Sequence, residues 1–321
     1  MIDLEPKMAA LAATAPFGVS IAVCHIERAT WACHEADQLL PLASTYKVAM
    51  AVTALQMVAR GELALDQQIE ILPIDYVSPG VISDWLTTPR TQLPLQTVMQ
   101  LMLAHSDNSA TDILFRVIGG APMVAETLAA LSVSPFDVSR STYALIQDYF
   151  DSEDLNGLLA AGKTMAQALD LVEHDPVYGP AWQSLLEAHL LDAAWQQRFA
   201  ADYRDKGTAR AMTDLLVKVA RGQALPPDMT KLLWAMMARC QTGDHRLRAG
   251  LPPNIWIANK TGTLNPHCGA INDAGLIRLP DGRGHIAISV FCAINDHDLS
   301  AQEQMIAAVA RLTFNHFCDA E

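Results

Sequence analysis

Nowhere in this sequence do apolar residues run to the roughly 18 that a bilayer-spanning helix requires. Basic residues are scarce as well: 22 lysines and arginines stand against 35 aspartates and glutamates, for a formal charge of -13 and a pI near 5.1. A surface that acidic repels phosphate backbones and anionic lipid, which argues against nucleic-acid and membrane partners. None of the six cysteines (Cys24, Cys33, Cys240, Cys268, Cys292 and Cys318) belongs to a CxxC pair. Their scatter among apolar neighbours reads as buried free thiols. Only Cys24–His25 with Cys33–His34 approaches a zinc-ligand cluster, and on two adjacent strands these read as core, so neither metal nor cofactor is expected. The first residues, Met1 to Pro6, carry Asp3 and Glu5 where a secretory leader would be basic. The expected compartment is the cytoplasm if Met1 is the native start, and the periplasm or exterior if a leader has been removed. Internal repeats and low-complexity segments are also missing, which leaves an ordinary globular chain.

Of the 321 residues, 51% are hydrophobic, enough for a large core in one domain or two. Residues 3–14 read as a short amphipathic helix with Leu4, Met8, Leu11 and Ala12 on one face. GVSIAVCHIE (18–27) and Trp31–Asp37 read as a hairpin turning at Arg28–Thr30. From Thr45 the pattern becomes helical, and KVAMAVTALQMVARGE ends at Gly61, a residue suited to stopping a helix. Helical signals follow at 93–105, 109–118, 122–131, 165–173, 181–202, 209–221 and 229–239. Strand signals return at 255–260, 274–279 and 285–292, before a last helix over about 300–318. Strands at both ends of the chain therefore bracket a helical middle. The expected fold is α/β: one antiparallel sheet flanked by the terminal helices (residues 1–40 and 245–321), beside an all-helical lobe (41–244). A cleft between two such lobes is a common place for an active site.

Three short motifs carry chemistry. Ser44-Thr45-Tyr46-Lys47 opens the first long helix, and a spacing of three residues turns Lys47 to the same side as Ser44. A serine hydroxyl needs such a base within hydrogen-bond reach to act as a nucleophile. The start of a helix also offers free N–H groups to developing negative charge. Alone, S-x-x-K is expected about once by chance in a chain of this length. Ser106-Asp107-Asn108 follows an apolar helical run and has an ordinary alternative as a helix cap. Its functional reading gives Ser106 a proton relay to a leaving nitrogen, Asn108 a substrate contact and Asp107 a bracing role. Lys260-Thr261-Gly262-Thr263 ends the strand IWIANK, where the lysine presents positive charge and the glycine admits a close ligand. Each motif has a bland reading; all three in this order, each at an element boundary, do not.

That ordered set resembles class A β-lactamases and penicillin-binding proteins, and the likeness runs over nearly the whole chain. PLASTYKVAMAVTAL is similar to the family's nucleophile helix and SDNSATDILFRVIGG to its second motif. TGDHRLRAGLPPNIWIANKTGT resembles the matching stretch of class A carbapenemases, and INDAGLIRLPDG the next strand and turn. The resemblance implies a serine hydrolase working through an acyl-enzyme on a carboxylate-bearing small molecule, a β-lactam or a related amide or ester, as a monomer. It implies Ser44, Lys47, Ser106 and Lys260 as catalytic residues and Asn108, Thr261, Thr263 and Arg246 as substrate contacts. Arg246 suits a carboxylate because its donors form a fork; Arg248 is assigned to bracing the strand beside Lys260. The backbone N–H groups of Ser44 and Thr263 would form the oxyanion hole.

One region departs from the family. Class A enzymes release the acyl group with a water activated by a glutamate in an E-x-x-L-N segment of an omega loop, soon after an arginine paired to a later aspartate. YRDKGTARAM resembles the loop's far end and makes Asp205 that aspartate, with Arg140 as its partner. No glutamate follows Arg140 within a turn, and the insert of about 140–205 is far longer than the family's loop. Glu153 in SEDLN stands one position out of register with the deacylating glutamate. Trp182 and Trp195 are read as packing residues of the extra helices. Three functions stay open on these grounds: a β-lactamase, a hydrolase of another peptide, amide or ester, and a binder trapped as its acyl-enzyme.

Overall fold

The computed structural model describes residues 4–86, 88, 90–150, 152–182, 184–185, 201–264, 270–293 and 299–319. Helix α1 (Leu4–Ala12) precedes the hairpin of β1 (Val19–His25) and β2 (Thr30–His34). Strand β3 (Leu40–Pro41) and a 3-10 turn (Ala43–Tyr46) lead into α2 (Lys47–Ala59). Next come β4 (Gln68–Glu70), α3 (Val81–Trp85), β5 (Gln92–Pro94), α4 (Leu95–Ala104), α5 (Asn108–Val117) and α6 (Ala121–Ala130). The insert supplies α7 (Thr142–Phe150), α8 (Glu153–Ala160) and α9 (Met165–His174). After β6 (Lys206–Gly207) the chain forms α10 (Ala209–Ala220), α11 (Pro227–Met237), β7 (Ile257–Thr263), β8 (Ile271–Arg278), β9 (His285–Cys292) and α12 (Leu299–Asp319).

The two chain ends meet in one sheet of order β2-β1-β9-β8-β7, antiparallel throughout. Side chains of a strand alternate between faces, and here both faces are apolar because both are covered. Val19, Ile21 and Val23 of β1 and Ile286, Ile288 and Val290 of β9 share one core with Met8 of α1 and with Ile306, Val309 and Phe314 of α12. The alternate residues Ala22, Cys24, Ala287 and Phe291 join a larger core with Met212 and Leu215 of α10 and with α2 and α4. Alanines on that second face let α10 lie close on the sheet. Helix α2 ends as its glycine predicts: Gly61 takes φ +76, its N–H donates to Val58 O and that of Glu62 to Met57 O, a double closure of the last turn. Among the described residues, no single helix is long and apolar enough to cross a membrane.

Structure and sequence reading differ in several places, among them the short strands β4, β5 and β6 inside the stretch read as all-helical. The strand expected to stop at Lys260 continues to Thr263, paired with Ile271 of β8. Its last residues, Thr261, Gly262 and Thr263, stay in register with Asp273, Asn272 and Ile271 of β8, so the strand carries Lys260 in its middle rather than at its end. Helices α7 and α8 were not expected from the pattern. Tyr149, Leu155 and the partly buried Tyr143, Ile146, Phe150 and Leu158 supply their apolar face. Ser152 interrupts that stripe and caps α8 by accepting from the Leu155 N–H. The helix expected over 181–202 falls largely outside the described residues, as do Trp195 and Cys268. Trp182 is buried with its ring 4.6 Å from that of Phe150. Cys24 enters the larger core, with Cys33 packed against it, while the His25 ring lies 5.1 Å from that of Phe317, tilted by 57°.

Candidate active site

The 3-10 turn Ala43–Tyr46 runs directly into α2, and in a 3-10 turn side chains three apart eclipse. Ser44 and Lys47 therefore share a side. Ser44 is half-buried, while Lys47 is fully buried. Ala43, next to Ser44, sits at φ +44, a left-handed conformation that a non-glycine residue adopts only when its surroundings impose it. The imposing element is β7: a Cβ on Gly262 would lie 2.8 Å from Leu42 O and 3.1 Å from the Ala43 Cβ. Glycine at 262 is what allows the strand to press against the nucleophile turn.

Ser106 lies in the short link between α4 and α5, also left-handed at φ +58. Asp107 holds it there. Its carboxylate accepts from the Ala110 N–H (2.7 Å), capping α5, and from the Ile82 N–H (2.8 Å) of α3. Asn108 donates to Ser78 O at 3.1 Å and accepts from Lys47 Nζ at 3.0 Å. Lys47 also donates to Ser106 O at 2.7 Å and lies 3.4 Å from Ser106 Oγ. From the other side, Lys260 donates to Ser106 Oγ at 3.0 Å and to Thr261 O at 2.8 Å. One hydroxyl thus bridges two buried amines contributed by elements more than 200 residues apart in the chain.

Burial disfavours the charged form of an amine, and a second cation nearby adds to the effect. Burial first, and the charge of Lys260 second, hold Lys47 well below its ordinary value. Burial also lowers Lys260, to about 8. The shift at Lys47 favours its neutral form, the form that can take up a proton. A neutral amine has two N–H donors and one lone pair. With the donors on Ser106 O and Asn108 Oδ1, the lone pair remains for a hydroxyl proton.

The residues assigned to a substrate carboxylate are only partly brought together. Thr263 is exposed and its Oγ1 accepts from Arg246 Nη2 at 2.8 Å. Thr261 is buried, with its hydroxyl 2.5 Å from that of Thr242. Arg246 is 4% exposed, and its other donors go to Gly262 O, Asn272 O and Glu303. Its guanidinium thus braces β7, β8 and α12, beyond the carboxylate contact the sequence reading gave it, and touches the site through Thr263. Arg248 reaches Asn259 Oδ1 at 3.4 Å.

The insert closes on a buried ion pair. Arg140 Nε lies 2.5 Å from Asp205 Oδ2, both side chains 8% exposed, with Asp148 and Asp202 around the same guanidinium. Asp205 Oδ1 accepts from the N–H groups of Ser139 and Arg140. Removing Asp205 leaves the buried guanidinium only the more exposed Asp148 and Asp202. We expect Asp205→Asn to destabilise the protein by about 3 kcal/mol, read as a lowered urea midpoint, with the loss falling mainly on the insert. Asp112, a residue sequence reasoning passed over, anchors the insert's first helix: its carboxylate accepts from the N–H groups of Thr142 (2.6 Å) and Tyr143 (2.8 Å). Its position four residues after Asn108 on α5, one turn along the same face, was the available signal. Burial pushes Asp112 up to about 6. Glu153 is exposed in the first turn of α8, where its charge favours the helix N-terminus.

Comparison with known proteins bears on the family and the fold. Residues 3–317 match the model of a family described as the beta-lactamase enzyme family. Beta-lactamase VEB-1 of Pseudomonas aeruginosa is 25% identical over 287 residues, spanning 88% of this chain and 79% of that protein. The extended-spectrum beta-lactamase PER-1, also of Pseudomonas aeruginosa, is 25% identical over 303 residues, 89% of this chain and 80% of the relative. A solved beta-lactamase from Chitinophaga pinensis superposes with a TM-score of 0.76 at 25% identity over 98% of both chains.

Proposed function

This chain belongs to the beta-lactamase enzyme family, is a serine hydrolase of the class A type, and from that premise we propose that Ser44 opens a β-lactam or closely related cyclic amide through an acyl-enzyme. The observation that carries the reading is Ser106 Oγ held between Lys47 and Lys260, at 3.4 and 3.0 Å, with the half-buried Ser44 three residues before Lys47 in the 3-10 turn. Ser44 Oγ attacks the amide carbon while its proton passes to the lone pair of Lys47. The tetrahedral oxyanion is held by the N–H groups of Ser44 and Thr263. On collapse the carbon–nitrogen bond breaks, and the nitrogen takes a proton from Ser106, which is resupplied from Lys47. Lys260 stays protonated, fixes Ser106 Oγ and attracts an anionic substrate, whose carboxylate meets Thr261, Thr263 and the outer edge of Arg246. Asn108, its Oδ1 engaged by Lys47, donates the remaining N–H of Nδ2 to the carbonyl of the substrate's side-chain amide. Water then hydrolyses the ester at Ser44. In this reading a monomer acts on a small molecule.

A second reading, an acyl-enzyme that persists, is favoured by the carboxylates around Lys47. Asp107 and Asp112 act on its charge, yet both are buried and their oxygens already accept from backbone amides, which leaves neither free to activate water. Intact mass spectrometry over time, with benzylpenicillin and with a chromogenic cephalosporin, tests both. Colour with no lasting adduct identifies a turnover enzyme. A stable mass increase equal to the whole penicillin, mapped to Ser44, identifies the trapped form. If neither colour nor adduct appears, the β-lactam assignment is wrong and the substrate is another amide or ester.

A further inference from the structure

Behind the site, on the sheet face turned away from Lys47, lies a buried polar group that the chemistry above does not use. Asp273 of β8 is fully buried, in register with Thr261 of β7. It accepts from Asn259 Nδ2 with both oxygens, at 3.0 and 3.1 Å, and from the Leu247 N–H at 3.2 Å. Asn259 immediately precedes Lys260 in the strand, and Leu247 immediately follows Arg246. A single carboxylate thus ties together the two segments that carry the site's cations. The surrounding residues are apolar: Leu247, Ile257, Ile271 and Val290 belong to the core between the sheet and α12. An ionisable group in such a place is retained at an energetic cost unless it holds a geometry that apolar packing does not specify.

We propose that Asp273 is a positioning residue for the substrate carboxylate, fixing the Leu247–Gly250 turn so that Arg246 reaches Thr263 at the mouth of the site. Backbone bonds from Arg246 N–H to Gly243 O and from Ala249 N–H to Arg246 O close the turn on itself, and the Asp273 bond to the Leu247 N–H ties it to the sheet, so that the Arg246 donors reach the β7 and β8 carbonyls, Thr263 Oγ1 and Glu303. The charged groups facing this cluster are Lys260 from β7, Arg246 and Arg248 from the turn segment, and Glu303 from α12; β9 contributes Val290 opposite Asp273. Burial dominates over the three donors and the cations and raises the Asp273 carboxyl to about 6. Below that pH the group is neutral, a weaker acceptor for Asn259 and Leu247, and the turn loosens.

The inference rests on the substrate reading above only for its kinetic half. In Asp273→Asn, KM for an anionic β-lactam should rise about tenfold with kcat changed less than threefold, the size expected for one charge-assisted hydrogen bond. The wild-type KM should climb as pH falls through about 6, and the variant's should not. Combining Asp273→Asn with Arg246→Ala should give no larger KM than Arg246→Ala alone, because the first acts through the second. Hydrogen exchange of the 246–251 amides supplies a readout free of any substrate: about tenfold faster in the variant, and faster in wild type at pH 5 than at pH 7.5. Unchanged protection of Leu247, or a loss confined to kcat, overturns the proposal. If no β-lactam reacts with wild type but the exchange difference is present, the substrate reading has failed and the positioning role stands. Where Asp273→Asn does not fold, the wild-type pH series of KM and exchange decides alone.

Discussion

Ser44→Ala should lower β-lactam acylation and hydrolysis by at least about 10^4-fold, the scale seen when the nucleophile of a serine hydrolase is removed. The argument begins with what remains in the variant. Lys47, Ser106, Lys260 and Asn108 bond to one another without involving the Ser44 hydroxyl, so the network should survive the change. Removing one oxygen from a half-buried side chain leaves neither a cavity nor an orphaned partner, and the urea midpoint should move little. Binding should also persist, since the cations are intact. Loss of the covalent step with retained stability and retained saturable binding is therefore the specific outcome, checked by intact mass, chromogenic turnover and an urea transition on one preparation. Activity within tenfold of wild type would place the nucleophile elsewhere, because no other described residue combines exposure to the cleft with a buried base three positions away.

How far the sequence led depends on what kind of constraint each residue answers. The sheet strands were legible because β-branched residues alternate faces at both ends of the chain, and Gly61 marked a helix end with a conformation other residues avoid. The three motifs were legible because Ser44 and Lys47 are neighbours along one helix, and Ser106 and Asn108 along one loop. That Ser106 would stand between two amines was not, since Lys47 and Lys260 meet only through tertiary packing. The same holds for Arg246. Its fork suits a carboxylate from composition alone, yet its environment makes it chiefly a brace, because β7 runs on to Thr263 and brings the carbonyls of Gly262 and Asn272 under the guanidinium. The insert was least legible: α7 and α8 are held by a small core of their own and by Asp112 and Asp205, whose bonds join residues 30 and 65 apart in sequence. Periodicity within a ten-residue window carries no trace of such anchors.

Lys47→Met should slow acylation by about 10^3-fold, within the range that a positioned general base contributes. Methionine nearly matches the lysine stem in length and suits the burial of position 47 at the start of a helix whose following residues lie in the core, so the helix should fold. What disappears is the lone pair, together with two donors to Ser106 O and Asn108 Oδ1. The pH dependence separates the lost base from the lost hydrogen bonds. In wild type, burial and the charge of Lys260 hold Lys47 well below the usual lysine range. Below its depressed pKa the amine is protonated and cannot accept from Ser44, so acylation falls as pH drops. Above it the base is free. On the alkaline side, Lys260 loses its proton near pH 8 and with it the charge that fixes Ser106 and draws in the substrate. The wild-type profile of kcat/KM is therefore a bell, and Lys47→Met should lose the acid limb while keeping the fall near pH 8. Stopped-flow acylation between pH 4.5 and 9.5 reads both limbs. A variant that is slow but retains the acid limb would assign that limb to another group, with Asp112 and Asp273, both raised to about 6 by burial, as the groups to remove next.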